Sequence, residues 1–309
     1  SACFDVFTVD DEAEITSEAN PGTVSLAYLR ELRRLGVNRL SLGVQTFDPG
    51  ELAMLGRIHD AEQVEITVEW ARAAGFDDLN LDLIYGLPGQ SLAAWQRTLE
   101  RALVLAPEHL SLYCLTLEEG TPLHDRVVQG WLPSPDPDLA ADMYELAGEM
   151  LAEAGYRQYE ISNWSRPGYE CAHNLVYWRN LPYLGLGAGA HSSSDGQRWW
   201  NVLPVQTYID HLAKGEPTSW PSPAAEGGEI INRPLAMGET MMLGLRLTRE
   251  GVAEADFRQR FGVSLWEVYG DVIRDLVSAG LVVWDEDRLR LSERGRLLGN
   301  QVFARFLPT

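Results

Sequence analysis

Three stretches of this chain alternate in the same way, and that alternation constrains the fold more than any other feature. Asn80-Leu81-Asp82-Leu83-Ile84-Tyr85-Gly86-Leu87-Pro88-Gly89 reads as a buried strand entering a Gly/Pro turn. Side chains alternate along a strand, so Leu81 and Leu83 face one way and Asn80 and Asp82 the other. A carboxylate in an apolar strand is costly to bury without partners. On this strand alone, an Asp capping a neighbouring loop is the ordinary explanation. Glu14 to Asn20 repeats the pattern, with Thr16, Glu18 and Asn20 on one face. So does Arg39 to Gln45, with Ser41, Gly43 and Gln45 opposite Leu40, Leu42 and Val44. A doubly wound sheet is covered on both sides and apolar on both. A barrel interior that holds a polar ligand accounts for one polar face on successive strands. In such barrels functional residues gather at the C-terminal strand ends, where Glu18, Gln45 and Asp82 fall.

The intervening segments read as crossover helices. Ser25 caps a helix through Arg34, and Gly36 ends it. Asp48-Pro49 opens a short helix. Helices follow over about Ala61–Ala74 and Ser91–Leu105, and a further strand over His109–Leu115. This alternation predicts parallel strands. Pro133-Ser134-Pro135-Asp136-Pro137 is a rigid link before a helix over about Asp138–Ala154 and an extended piece over Tyr156–Ser162. Residues 164–201 are rich in Trp, Tyr, Gly and His. Gly185, Gly187 and Gly189 precede His191, without the spacing of a dinucleotide-binding loop. Helices are expected over Val205–Lys214 and Arg233–Leu243. From Thr248 the pattern is helix, helix, strand, turn, strand, helix, with strands Leu281–Trp284 and Arg288–Leu291. That order is winged-helix-like, and a boundary at 204/205 separates residues 1–204 from 205–309.

With 25 Lys+Arg against 45 Asp+Glu, the formal charge of the 309 residues is −20. Such a surface disfavours nucleic acid and anionic membranes. The acidic tip Asp285-Glu286-Asp287 argues for packing rather than DNA binding by the wing. No apolar run reaches the length of a membrane span, and no signal peptide is visible at the start of the sequence. Cys3, Cys114 and Cys171 form neither a disulfide framework nor a metal-spaced cluster, so a reducing, cytoplasmic setting is expected.

Two groups of residues carry candidate chemistry. Arg57 follows the second polar-faced strand. A guanidinium can pair in two-pronged fashion with a ligand carboxylate, though a surface ion pair is the commoner use of an Arg. With Glu18, Gln45 and Asp82 it makes a set suited to a zwitterion or nucleoside. The second group is His173-Asn174-Leu175-Val176-Tyr177-Trp178. A neutral imidazole ligates haem iron, and Tyr177 and Trp178 could lie against a macrocycle. A packed histidine beside core aromatics explains the same residues.

Taken in order, Ser17-Glu18-Ala19-Asn20-Pro21-Gly22, Ser41-Leu42-Gly43-Val44-Gln45-Thr46-Phe47, Gly56-Arg57-Ile58-His59 and Asp82 through Gly89 resemble the oxygen-independent coproporphyrinogen oxidase group of radical S-adenosylmethionine (SAM) proteins. His173 through Trp178 looks like the signature of its HemW-type haem chaperone branch. Leu291 through Leu307 resembles that group's C-terminal domain. The resemblance implies a partial (β/α) barrel followed by a winged-helix-like domain. It implies SAM binding by Glu18, Gln45, Arg57 and Asp82. It also implies haem binding at Asn174, Tyr177, Trp178 and His173, with His173 on the haem iron. Haem trafficking toward a haem-accepting protein is the function expected. The alternatives are oxygen-independent coproporphyrinogen III dehydrogenase, a radical SAM oxidoreductase, or an inactive fragment of either. The family's CxxxCxxC motif, which binds a [4Fe-4S] cluster, and its Gly-rich stretch do not occur in these residues. The sequence therefore resembles a member lacking its first two strand–helix units, and the resemblance leaves its status as an enzyme open.

Overall fold

The computed structural model describes residues 2–308. Their contacts divide the chain into two compact units, 1–170 and 171–309. The boundary drawn from the sequence at 204 falls inside the second unit.

The first unit runs α1 (Ala2–Val6), β1 (Thr16–Ala19), α2 (Leu26–Arg34), β2 (Arg39–Gln45), α3 (Pro49–Met54), α4 (Ala61–Ala73), β3 (Asp78–Tyr85), α5 (Leu92–Val104), β4 (His109–Cys114), α6 (Pro122–Val128), α7 (Pro137–Glu153), β5 (Arg157–Glu160) and β6 (Asn163–Ser165). Its strands form one sheet in the order β1-β2-β3-β4-β6-β5. The first four are parallel, as the strand–helix alternation predicts. The extended piece after α7 is a tight hairpin instead. Its β6 pairs antiparallel with β4. Only a turn separates β5 from β6, which leaves no length for the crossover that a parallel pairing requires.

Local chemistry sets the helix starts. The Ser25 and Ser91 side chains accept from Tyr28 N and Ala94 N. Asp60 and Gln63 form a reciprocal capping box at α4. Asp48 and Asp136 each cap a helix that begins with proline. The helices cover the apolar face of the sheet. Leu40, Leu42, Leu79, Leu81, Leu83, Leu110 and Leu112 are buried there against Leu29, Val64, Trp95, Leu99, Met143 and Leu151. Each such side chain contributes about 1.5–3 kcal/mol. Trp95 also donates its indole N–H to Met143 O at 2.9 Å, so α5 is tied to α7 through a satisfied polar atom.

The second unit runs α8 (Ala172–Trp178), β7 (His191–Ser194), β8 (Gln197–Asn201), α9 (Val205–Lys214), β9 (Ala225–Ile230), α10 (Arg233–Gly244), β10 (Val252–Ala253), α11 (Glu254–Phe261), α12 (Leu265–Ser278), β11 (Val282–Asp285), β12 (Arg288–Leu291), α13 (Glu293–Leu297) and α14 (Gly299–Ala304). Strands β7, β8 and β9 form an antiparallel sheet that the composition of residues 164–230 does not announce. From β10 onward the winged-helix-like order holds, with a sheet ordered β10-β12-β11. Glu286 and Asp287 both take positive φ at the tip, as a two-residue hairpin requires. No helix among the described residues is long and apolar enough to cross a membrane.

Candidate functional site

Register places the polar residues of the first unit in rows. Glu18 pairs with Ser41, Ser41 with Asn80, Asn80 with His109 and His109 with Ser165. Residues in register across a sheet point to the same side, so this row is polar from edge to edge. Two residues further along, Asp82 pairs with Ser111 and Ser111 with Asn163. The face predicted from three strands thus extends over β4 and β6.

Asp82 sits within this face. Its Oδ2 accepts from Ser41 Oγ at 2.9 Å and its Oδ1 from Asn80 Nδ2 at 2.9 Å. Burial pushes its carboxyl above the ordinary carboxylate range. Hydrogen bonds from Ser41 and Asn80 oppose that shift, and the Glu18 charge adds to it. The Ser111 hydroxyl has one proton to give, and its hydrogen bond goes to Asn80 Oδ1 at 3.1 Å. Tyr113, at the exit of β4, has its phenol pushed up mainly by burial, then by the Asp82 charge. Glu18 and Asp82 are therefore within electrostatic reach of each other.

Gln45 ends β2 after a register shift and holds a φ of 68°, a strained conformation for a residue with a side chain. The turn beyond it is clamped. Thr46 Oγ1 donates to Glu51 at 2.6 Å, and Gln90 donates to the same carboxylate oxygen at 3.2 Å. The Gln45 amide lies over Gly43. A Cβ at residue 43 would stand 2.9 Å from Gln45 Nε2 and 3.0 Å from Asn20 Oδ1. Arg57 Nη1 donates to that same Asn20 oxygen at 3.1 Å. Buried His59 fixes the segment carrying Arg57, its Nε2 lying 3.1 Å from Val44 O. Gln45, Asn20 and Arg57 thus meet above Gly43, and Glu18 and Asp82 occupy the adjoining rows. Among the described residues Arg57 and Glu18 form no ion pair.

In the second unit, α8 carries the histidine motif on two adjacent stripes. His173 and Tyr177, one turn apart, meet edge to face with ring centroids 4.8 Å apart. Tyr177 meets Tyr183 the same way at 4.6 Å. Tyr183 is anchored by reciprocal backbone hydrogen bonds to Ser193, both 2.9 Å. The His173 side chain is exposed, while Tyr177 is half-buried. Asn174 and Trp178 form the second stripe. The Arg246 guanidinium lies 4.5 Å above the Trp178 ring. Trp178 also borders a cavity of about 270 Å³ shared with Leu181, Leu247, Val252, Phe257 and Arg260. His191 is exposed, its ring 5.8 Å from the cross-strand Trp200.

No group of three or more His, Cys, Asp or Glu residues among the described ones is arranged to hold a metal ion. Cys114 is exposed and Cys171 is buried; they supply no thiolate set for an iron–sulfur cluster.

The sequence reading missed Asn20 as a bridge to Arg57, and it missed His109, Ser111 and Tyr113 as members of the polar face. A signal for the last three was present: His109-Leu110-Ser111-Leu112-Tyr113 alternates like the earlier strands.

Four parallel strands joined by helices, with one polar face ending in Glu18, Gln45, Arg57 and Asp82, make a partial (β/α) barrel scaffold. Residues 5–102 match the Radical SAM superfamily and residues 231–298 the HemN C-terminal domain. "Heme chaperone HemW" of Bacillus subtilis is 41% identical over 298 residues, 96% of this chain and 76% of that protein. "Heme chaperone HemW" of Mycobacterium tuberculosis H37Rv is 39% identical over 303 residues, 98% of this chain and 74% of its own. "Radical S-adenosyl methionine domain-containing protein 1, mitochondrial" of Mus musculus is 37% identical, with 96% and 68% covered. Coproporphyrinogen III oxidase (HemN) from Escherichia coli, a radical SAM enzyme, superposes with a TM-score of 0.81 over 98% of this chain and 71% of its own. At 24% identity that likeness speaks for the fold. The chain belongs to the HemW haem chaperone family of radical SAM proteins.

Proposed function

We propose that this chain binds haem through His173 and hands it to an acceptor protein, and that the mouth of the polar-faced sheet binds SAM. The observation that carries the haem reading is the exposed His173 imidazole set edge-on to Tyr177, which meets Tyr183 in turn. A histidine imidazole is a common axial ligand of haem iron. Tyr177 presents the neighbouring apolar surface to the macrocycle, and Asn174 and Trp178 complete the motif from the adjoining stripe. The compartment proposed is the reducing cytoplasm.

At the sheet mouth the donor set fits SAM. Arg57 offers a planar cation to the α-carboxylate. Gln45 offers an amide alongside it. Glu18 and Asp82 accept from the ammonium group or the ribose hydroxyls. When bound, SAM would supply its sulfonium chemistry. The residues present bind and orient it.

A transfer experiment tests the carrier reading. Protein loaded with one equivalent of haemin is mixed with apomyoglobin, and the myoglobin spectrum is followed. Appearance of holomyoglobin faster than from a haemin–albumin control supports a carrier. Haem retained over hours, or never bound at all, contradicts it.

A further inference from the structure

Beneath Asp82 lies a buried hydrogen-bond chain whose protons all point one way. His109 is wholly buried. Its Nδ1 lies 2.7 Å from Asn80 Oδ1 and its Nε2 2.8 Å from the Tyr159 hydroxyl. Burial, and to a lesser degree the charge of Arg39, hold this imidazole well below its ordinary range, so it is neutral. A neutral imidazole has one N–H, and the neighbours decide which nitrogen carries it. Asn80 Nδ2 gives its protons to Ser41 Oγ at 2.8 Å and to Asp82 Oδ1 at 2.9 Å. Its Oδ1 is therefore the acceptor facing His109 and Ser111. His109 must carry its proton on Nδ1, and Nε2 accepts from Tyr159. The other tautomer would turn the Asn80 amide over and set its oxygen against the Asp82 carboxylate, two acceptors face to face.

We infer that His109 is a positioning residue of the ligand mouth: as the Nδ1–H tautomer braced by Tyr159, it fixes the Asn80 amide and so orients the Asp82 carboxylate toward ligand. This rests on the reading of Asp82 as a ligand-facing group. Nothing in the chain moves a proton to the ligand; the network only fixes an acceptor. Partners of this kind, one bond removed from a binding group, commonly set its geometry.

The test uses the 309-residue chain and S-adenosylhomocysteine as probe, read by calorimetry. His109→Leu removes the donor, and about a tenfold loss of affinity is expected, the size of a lost hydrogen bond to a charged network. His109→Asn places an amide N–H near the position of Nδ1 and should bind within about threefold of the parent. Tyr159→Phe keeps the ring and removes the brace, so an intermediate loss is expected. Equal affinities for parent, His109→Leu and Tyr159→Phe overturn the inference, as do equal losses in the Leu and Asn variants, which would mark a purely structural histidine. Should His109→Leu not fold, long-range ¹⁵N–¹H correlation of the parent's histidines decides: an Nδ1–H signature for His109 supports the inference and an Nε2–H signature overturns it. Asp82→Asn separates the two levels. Parent-like affinity there removes the mouth reading itself, whereas lost affinity there with none lost in the His109 variants removes only the role of His109.

Discussion

Gln45 and Gly43 stand two residues apart on one strand, with the Gln45 amide nitrogen filling the place a Cβ on residue 43 would crowd at 2.9 Å. The left-handed backbone at Gln45, φ 68°, turns its side chain back over the strand that carries it. Glycine at 43 is thus part of how the mouth is shaped. Gly43→Ala should leave the fold intact, because the crowded atoms are ends of side chains, and should weaken S-adenosylhomocysteine binding several-fold, about 1 kcal/mol. In a double-mutant cycle the effect should nearly vanish when Gln45 is already Ala. Additive losses in calorimetry would contradict the proposed packing.

Arg57 tests recognition of the amino-acid end of the ligand. Arg57→Lys keeps the charge and loses the planar fork. The variant should bind S-adenosylhomocysteine about tenfold more weakly, while 5′-methylthioadenosine, which has no carboxylate, should bind it as it binds the parent. Parallel losses for both ligands would show that Arg57 acts on the fold and not on the carboxylate.

How much of this was legible in the sequence follows from period and distance. The alternation of Glu18, Ser41, Asn80 and Asp82 gave the polar face because side-chain direction in a strand is a local property. The hairpin of β5 and β6 and the sheet of β7 to β9 were not legible. Pairing places β6 against β4 across α6 and α7, and β9 against β8 across α9, and Gly-rich segments such as Ala225–Ile230 carry no hydrophobic alternation. His109 was passed over because it has no ligand spacing; its role comes from Asn80 and Tyr159, 29 and 50 residues away. The family resemblance rested on motifs, and the relatives bear out the family.

Asp78 predicts a pH dependence. Burial, its largest cause, lifts this carboxyl from 3.8 to about 6, against the pull of Arg39. Between about pH 4 and 6 the native state therefore keeps a proton that the unfolded chain has released. The unfolded chain binds fewer protons there, so stability falls as pH rises through that window. Asp78→Asn has no such proton. Its unfolding free energy relative to the parent should improve from pH 4 to 6 and level off above about 7. Parallel stability curves from urea unfolding would contradict the shift.

Gly185 predicts a backbone clash. A Cβ there would overlap the His191 carbonyl oxygen, which is main chain and cannot swing aside. Gly185→Ala should destabilise the second unit by about 1–3 kcal/mol, as overpacking commonly does. An unchanged denaturant midpoint would show that this approach relaxes freely.

If His173 holds haem iron, a haem titration will separate His173→Ala from the parent. The parent should show a shifted Soret band. The folded variant should show an altered spectrum and at least tenfold weaker binding, about 1.4 kcal/mol or more. Tyr177→Ala should lose less than that. A His173→Ala protein that melts earlier but titrates with haem like the parent would make His173 a packing residue and rule out its bond to the iron.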